Sequence, residues 1–486
     1  MDSLKKFGFN FHNSYLSLPE KFYSKTNINS VKAPRLLILN ESLAKDLGLD
    51  LELLKSSEGI NILSGNIKAE EGAYISQAYA GNQFGHFTML GDGRAVLIGE
   101  QIAPDNKRVD IQLKGSGETL YSRGGDGRAA LGPMLREYII SEAMYHLHVK
   151  TTRSLAVVST GEVVYRETPL KGAILTRVAS SHIRFGTFQY AYKYGSEDDI
   201  KRLADYTIER HYPSLLNDQN RYLSLLKEVI STYAHLIARW QSIGFIHGVM
   251  NTDNMTLSGE TIDYGPCAFM NIYNPKTVFS SIDVNGRYSY ENQPRIIVWN
   301  LCRFAETLIP ILDEDDNAAT ELAQNAINEF EKLYEEAWLN EMRNKLGIIN
   351  KEENDNALIS SLLDIMKEEK LDFTNTFLEL TFDKAIRSIE NNKGFQEWLK
   401  EWNSRLKRQN EDEEIILQWM KNNNPQVIPR NHKVEEALKE ANNGDLTLLN
   451  KMLEAVSNPY DHTKTYDEYK NVPEDIDNNY RTFCGT

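Results

Sequence analysis

The sequence predicts an α+β protein of two lobes, a strand-rich one followed by a larger, mostly helical one, with helical extensions at both ends. Two changes of texture carry the prediction. Between residues 88 and 178, short apolar and β-branched segments recur between glycine-rich turns, the pattern of strands. After about residue 195, apolar residues recur at helical spacing instead. The expected units are an N-terminal extension at 1–70, a strand-rich lobe at 71–194, a helical lobe at 195–424 and a C-terminal helical extension and tail at 425–486.

Taken in order, residues 1–70 mix short helical and loop signals punctuated by Pro19 and Pro34. Segments 87–90 and 95–98 flank Gly91-Asp92-Gly93-Arg94, a hairpin signal. Val109, Ile111 and Leu113 alternate with Asp110, Gln112 and Lys114. A period of two buries the first set and points Lys114 away from the core face. A helix follows from Pro133, with Leu135, Tyr138, Ile139, Glu142 and Tyr145 at helical spacing. Further strands are expected at 155–158, 163–166 and 173–178. In the second lobe, Tyr222, Leu225, Leu226, Val229, Ile230, Tyr233, Leu236, Ile237 and Trp240 mark one apolar helical stripe, and Gly244 ends it. Amphipathic helices are expected over 295–419, and a single last helix over 434–456 after Pro425 and Pro429.

Composition bounds the function. Charged residues are 25% and hydrophobic ones 41%, ordinary for a soluble globular chain of 486 residues. The net charge of −15 argues against a broad basic surface for duplex nucleic acid. Three cysteines, Cys267, Cys302 and Cys484, are too few for a disulfide scaffold and fit a reducing compartment. No apolar run approaches a membrane helix, and residues 1–10 carry no secretory pattern. The expectation is a cytoplasmic protein with neither nucleic-acid nor membrane partners.

The densest chemistry lies in His247-Gly248-Val249-Met250-Asn251-Thr252-Asp253-Asn254, followed nine residues later by Asp263-Tyr264-Gly265. A protein-kinase catalytic loop reads His-Arg-Asp, four residues, then Asn, with Asp-Phe-Gly beyond. His247 and Asn254 keep that spacing, and Asp263 and Asn254 are the hard oxygen donors that a Mg2+ or Mn2+ ion on a triphosphate needs. The usual catalytic Asp is replaced by Val249, which cannot accept a proton, so Asp253 is the available base. Upstream, Lys114 at a strand end and Glu137 on the next helix match the kinase lysine–glutamate pair. Gly91, Gly93 and Arg94 form a turn whose backbone can approach phosphate, and Asp126 and Gly127 sit in a second glycine cluster before a helix. Arg177 and Arg184 add planar, permanently charged forks. Blander readings stand beside these. His247 reads as a packed, hydrogen-bonded residue, Asn254 and Asp263 as turn formers, Asp253 as a helix cap or a second metal ligand, and Lys114 with Glu137 as an ordinary ion pair.

The chain resembles the selenoprotein O family of protein nucleotidyltransferases, which have a protein-kinase-like fold. The resemblance runs over nearly the whole length. Its longest strings are Gly81-Asn82-Gln83-Phe84-Gly85-His86, Leu113-Lys114-Gly115-Ser116-Gly117, Tyr121-Ser122-Arg123-Gly124-Gly125-Asp126-Gly127-Arg128, Ser180-Ser181-His182-Ile183-Arg184-Phe185-Gly186 and 247–254 through Pro266. The resemblance implies AMP transfer from ATP to Ser, Thr or Tyr hydroxyls of protein substrates, with UTP as an alternative donor and the nucleotide turned over relative to kinases. It implies nucleotide contacts at Gly91, Gly93, Arg94, Lys114, Asp126, Gly127, Arg177 and Arg184, Asp253 as base, and the metal on Asn254 and Asp263. Some members of that family carry selenocysteine near the C-terminus, where this chain has Cys484; Cys267 lies four residues after Asp263, and the expectation is that the two pair under oxidation and hold that loop inactive. Two other functions stay open on the sequence: a phosphotransferase moving the γ-phosphate, and a silent ATP-binding pseudokinase scaffold. Retention of Lys114, Glu137, Asn254 and Asp263 weighs against the scaffold.

Overall fold

The structure is a computed structural model that describes residues 6–464, 466–473 and 480–483. Its strands are β1 (Tyr23–Lys25), β2 (Arg35–Leu39), β3 (Ile75–Gln77), β4 (Ala80–Gln83), β5 (His86–Met89), β6 (Ala95–Ile102), β7 (Arg108–Lys114), β8 (Ala129–Ala130), β9 (Arg153–Tyr165), β10 (Pro169–Ala179), β11 (Phe245–Ile246) and β12 (Ala268–Phe269). Helices α1 (Glu41–Asp46), α2 (Leu51–Lys55) and α3 (Ser57–Leu63) precede the lobe, and α4 (Leu131–His146) lies within it. Then come α5 (Phe185–Tyr194), α6 (Glu197–His211), α7 (Arg221–Ser242), α8 (Gln293–Leu312), α9 (Asp316–Asn328), α10 (Phe330–Lys345), α11 (Asp355–Glu368), α12 (Phe373–Phe382), α13 (Lys393–Arg408) and α14 (Glu413–Asn423). α15 (Asn431–Asn443), α16 (Thr447–Val456) and α17 (Asp467–Lys470) close the chain. The architecture is therefore α+β, strand-rich first and helical after. Among the described residues no helix is long and apolar enough to cross a membrane.

The main sheet runs β1-β3-β6-β7-β10-β9-β2, with β8 added on β10, and its pairings are antiparallel. One face packs Val96, Ile98, Ile111, Leu113, Leu155 and Val158 against Phe7, Phe9, Leu43, Leu54 and Ile62 from the chain's start. The other face turns Leu97, Val157 and Leu175 toward α4 and the helices beyond it. Both faces are thus covered. This modifies the reading of β7: Ile111 and Leu113 are buried as expected, but Asp110, Gln112 and Lys114 are buried as well, because His182 and Arg210 meet the first, Asp92 and Arg177 the second, and Glu137 and Asp263 the third.

Three element predictions need correction. The turn at Gly91–Gly93 does not close a hairpin, because β5 pairs with β4 while β6 joins the main sheet. The tight hairpin is β4–β5, turned by Phe84 and Gly85. The strands expected at 155–158 and 163–166 are one long strand, β9. The single helix expected over 434–456 is two, α15 and α16, because Gly444 takes a left-handed conformation (φ 99°) that caps the first and turns the chain. By contrast, the stripe from Tyr222 to Trp240 is α7, and it buries that stripe in the helical half.

Candidate active site

Lys114 ends β7, and Glu137 lies one and a half turns into α4. The lysine Nζ donates to Glu137 Oε2 at 2.6 Å and to Asp263 Oδ1 at 2.7 Å. Arg177, paired with Gln112 across β10 and β7, donates to Glu137 Oε1 at 2.8 Å and to Asp263 Oδ1 at 2.6 Å. Arg184 follows at the entry to α5; its Nη1 donates to the Asp253 carbonyl at 2.9 Å and lies 3.7 Å from Asp263 Oδ2. Its guanidinium also sits over the Tyr79 ring, 4.3 Å from the centroid. Burial by itself would raise the pKa of Asp263, but Lys114, Arg177 and Arg184 outweigh it and hold the carboxyl well below the ordinary range. Asp263 adopts φ 62°, a left-handed backbone that Asp tolerates better than most residues, and its carbonyl accepts from Gly265 N–H.

The catalytic-loop residues are held from below and above. His247 is fully buried, takes part in a hydrogen bond with the Ile262 carbonyl through Nε2 at 3.0 Å and stacks on Trp240. It ties one loop to the other, the structural role the sequence suggested. Asn254 donates its amide to the Val249 carbonyl at 2.9 Å, which leaves its Oδ1 as a free hard donor. Asp263 Oδ2 is likewise spared by Lys114 and Arg177, which both take Oδ1. That donor set suits Mg2+ or Mn2+, which keep several ligand positions for water and phosphate. Among the described residues no group of three or more His, Cys, Asp or Glu forms a closed metal cage. Val249 stands where a kinase base would be. Asp253 is 8% exposed, and its Oδ1 is buried without a hydrogen-bond partner. Burial pushes its pKa up to about 6 against the pull of Arg184.

The twelve residues given a nucleotide, metal or base role from sequence line one cleft of about 1130 Å³: Gly91, Gly93, Arg94, Lys114, Asp126, Gly127, Glu137, Arg177, Arg184, Asp253, Asn254 and Asp263. Ten Lys and Arg side chains line it against six carboxylates, a positive cleft in a chain of net charge −15. Asp126 is not loose there. It pairs with Arg166 at 2.9 Å and accepts from Arg128 N–H at 3.0 Å, so it orders the second glycine loop. The Gly91–Gly93 turn is fastened by Asp92, buried at 3% exposure, whose Oδ2 accepts from Gln77 N–H at 3.0 Å.

Sequence reasoning passed over three parts of this site. Tyr121 packs flat on the Gly91 turn; a Cβ at Gly91 (φ 92°) would sit 2.4 Å from its ring. Gly91→Ala is therefore expected to loosen the turn, at a cost of about 1–3 kcal/mol, read as a lower thermal midpoint and weaker ATP binding. Arg136 reaches the other way, donating to the Gly265 and Cys267 carbonyls at 3.2 and 2.7 Å. The β4–β5 hairpin closes the cleft from above: Asn82 N–H donates to Thr252 Oγ1 at 2.7 Å and Phe84 N–H to Asn251 Oδ1 at 3.1 Å. The two-residue Phe84-Gly85 turn was the available signal for it. Cys267 is buried in this region, and Cys484, its expected redox partner, lies outside the described residues.

A family model described as protein adenylyltransferase SelO matches residues 5–457. A protein nucleotidyltransferase YdiU of Brevibacillus brevis is 59% identical over 482 residues, covering 99% of this chain and 98% of that protein. Proteins of the same description from Clostridium botulinum (strain Hall) and Bacillus cytotoxicus are 57% and 59% identical, again over 99% of this chain and 98% of theirs. Among solved structures, a MAP kinase from Leishmania major matches 65% of this chain and 91% of its own at 10% identity and a TM-score of 0.21, at which the likeness carries no argument.

Proposed function

The chain belongs to the SelO family of protein adenylyltransferases, and from that premise we propose that the cleft binds ATP with a divalent cation and transfers AMP to Ser, Thr or Tyr hydroxyls of proteins, with UTP as an alternative donor. The supporting observation is the Lys114–Glu137–Arg177–Asp263 cluster, four charged groups in mutual contact facing Asn254 in a positive cleft. Lys114, Arg177 and Arg184 hold the phosphates, and the Gly91–Gly93 turn and Gly127 bring backbone N–H groups close to them. Arg94 and Asp126 border the same space, Arg94 as a further cation and Asp126 as the anchor of the second glycine loop. Asn254 and Asp263 would hold Mg2+ or Mn2+, which supplies charge neutralisation on the phosphates.

In the reaction, the acceptor oxygen forms a bond to the α-phosphorus while the bond from that phosphorus to the bridging oxygen of pyrophosphate breaks. The hydroxyl proton passes to Asp253, and pyrophosphate leaves. Val249 leaves no competing base, and Asp253, a cleft-lining carboxyl whose pKa burial raises to about 6, is the proton acceptor. Incubation with Mg2+ or Mn2+ and ATP labelled at either the α- or the γ-phosphate tests this. Label retained on protein only from the α position is expected, and Asp253→Asn should keep ATP affinity while losing about 10²-fold or more in transfer. Label only from the γ position would make the protein a phosphotransferase, and ATP binding without any label would make it a scaffold.

A further inference from the structure

The mouth of the cleft continues outward along an uninterrupted line of contacts. Asn251, two residues before Asp253, accepts through Oδ1 from the Tyr288 hydroxyl at 2.6 Å. Phe84, at the tip of the β4–β5 hairpin, packs edge-on against Tyr288 with ring centroids 5.3 Å apart. The guanidinium of Arg287 lies 5.7 Å from the Tyr288 ring and 4.9 Å from the Trp299 ring on α8. Arg303, one turn along α8, lies 5.5 Å from the same indole. Arg295, exposed, shares that stripe of α8 at the i−4 position.

The guanidinium donors on this ladder are only partly used within the protein. Among the described residues, the Nε atoms of Arg287 and Arg303 are buried without hydrogen-bond partners. Asp283, four residues before Arg287, accepts from the backbone N–H groups of Arg287 and Tyr288 at 2.8 and 2.7 Å. Arg303 also meets Glu306, so its pairing is partial. Arg287 and Arg303 on Trp299, with Arg295 one turn before it on α8, gather three cations beside the cleft mouth, with Glu291 and Glu306 in the same stretch. An Arg held flat on an aromatic ring presents its edge donors in a fixed orientation, and that edge suits a carboxylate.

We propose that the ridge from Phe84 through Tyr288 and Arg287 to Trp299 and Arg303 docks an acidic stretch of the acceptor protein, placing the neighbouring hydroxyl at Asp253. The proposal rests on the reading of the cleft as a protein-modifying site, and it names the substrate class: polypeptides with Asp or Glu near the acceptor residue. Charge complementarity selects the occupant. A basic segment meets repulsion at the ridge, whereas an acidic one gains charge-assisted hydrogen bonds from donors that are already oriented.

Two fluorescent synthetic peptides test it, identical in length and carrying one Ser among alanines, flanked in one by Glu and in the other by Lys. Anisotropy titration at low ionic strength should show the Glu peptide binding about tenfold more tightly, the sum expected of two or three exposed charge pairs. Raising the salt should close the gap. The double variant Arg287→Gln, Arg303→Gln should erase the preference while ATP affinity and thermal midpoint stay at wild-type values. Arg287→Lys, which keeps the charge but not the planar stacking, should retain part of it. Equal binding of the two peptides, or a preference that survives the double variant, overturns the proposal. Transfer of α-label is read separately: a wild-type protein that labels proteins but shows no peptide preference loses only the docking ridge, and one that shows the preference without transfer keeps the ridge and loses the transfer reading.

Discussion

Asp263→Ala is expected to abolish metal-dependent transfer, by about 10³-fold or more, while leaving metal-free ATP binding intact or stronger. The two halves of that expectation follow from one geometry. In the proposed site Asp263 would offer Oδ2 to a cation, while its Oδ1 accepts from Lys114 and Arg177. Removing the carboxylate deletes the strongest anionic donor in the proposed metal set, so phosphate charge loses its counter-ion in the transition state. It also changes the charge balance around the phosphates. Lys114, Arg177 and Arg184 then face Glu137 alone, rather than Glu137 and Asp263 together. The free triphosphate therefore meets a more positive cleft. Measured ATP affinity with Mg2+ and with a chelator separates these terms: the wild-type protein should bind more tightly with metal, and the variant should show no metal dependence. Transfer within tenfold of wild type, or a metal response that persists, would remove Asp263 from the metal site.

Much of this site was legible because its chemistry depends on residue types at fixed spacing. Lys114, Glu137, Asn254 and Asp263 could be named before any coordinates, since a strand end, the next helix and two adjacent loops constrain where such side chains fall. What sequence could not supply was the burial of polar residues. A period of two on β7 marks one face as apolar but is silent about whether the other face meets water. Here Asp110 meets His182 and Arg210, Gln112 meets Asp92, and Lys114 meets Glu137 on α4, so all three are buried with partners. Register errors had a similar source. The Gly91 turn has hairpin composition, yet its strands pair with different partners, and only the tertiary placement of β6 beside β7 decides that. The Arg287–Trp299–Arg303 ladder joins a loop to a helix, so no local pattern announces it.

The same cluster makes a prediction about stability that activity measurements alone would miss. Glu137→Ala is expected to be the most destabilising single change in it, at about 3–5 kcal/mol, and more so than Lys114→Met. Glu137 is 2% exposed and is gripped by Lys114 on one oxygen and Arg177 on the other. Its removal leaves two cations, one of them the fully enclosed Arg177, sharing a single remaining carboxylate that is itself partly exposed. Lys114→Met removes a cation instead, and Glu137 keeps Arg177. Both variants should lose transfer, so turnover cannot rank them; urea midpoints can, and the reverse order would show that the carboxylate does not hold the cluster together. Burial works against the charge on Glu137, but Arg177 and Lys114 together lower its pKa. The stability it contributes is therefore fully present above the ordinary glutamate value of about 4.3 and is lost as pH falls through the depressed value. Glu137→Gln, which cannot ionise, should flatten that part of the acid unfolding curve. The carboxylate that positions Lys114, the lysine proposed to hold phosphate, is thus also the one that makes burial of Arg177 tolerable, which couples the integrity of the cleft to the stability of the fold around it.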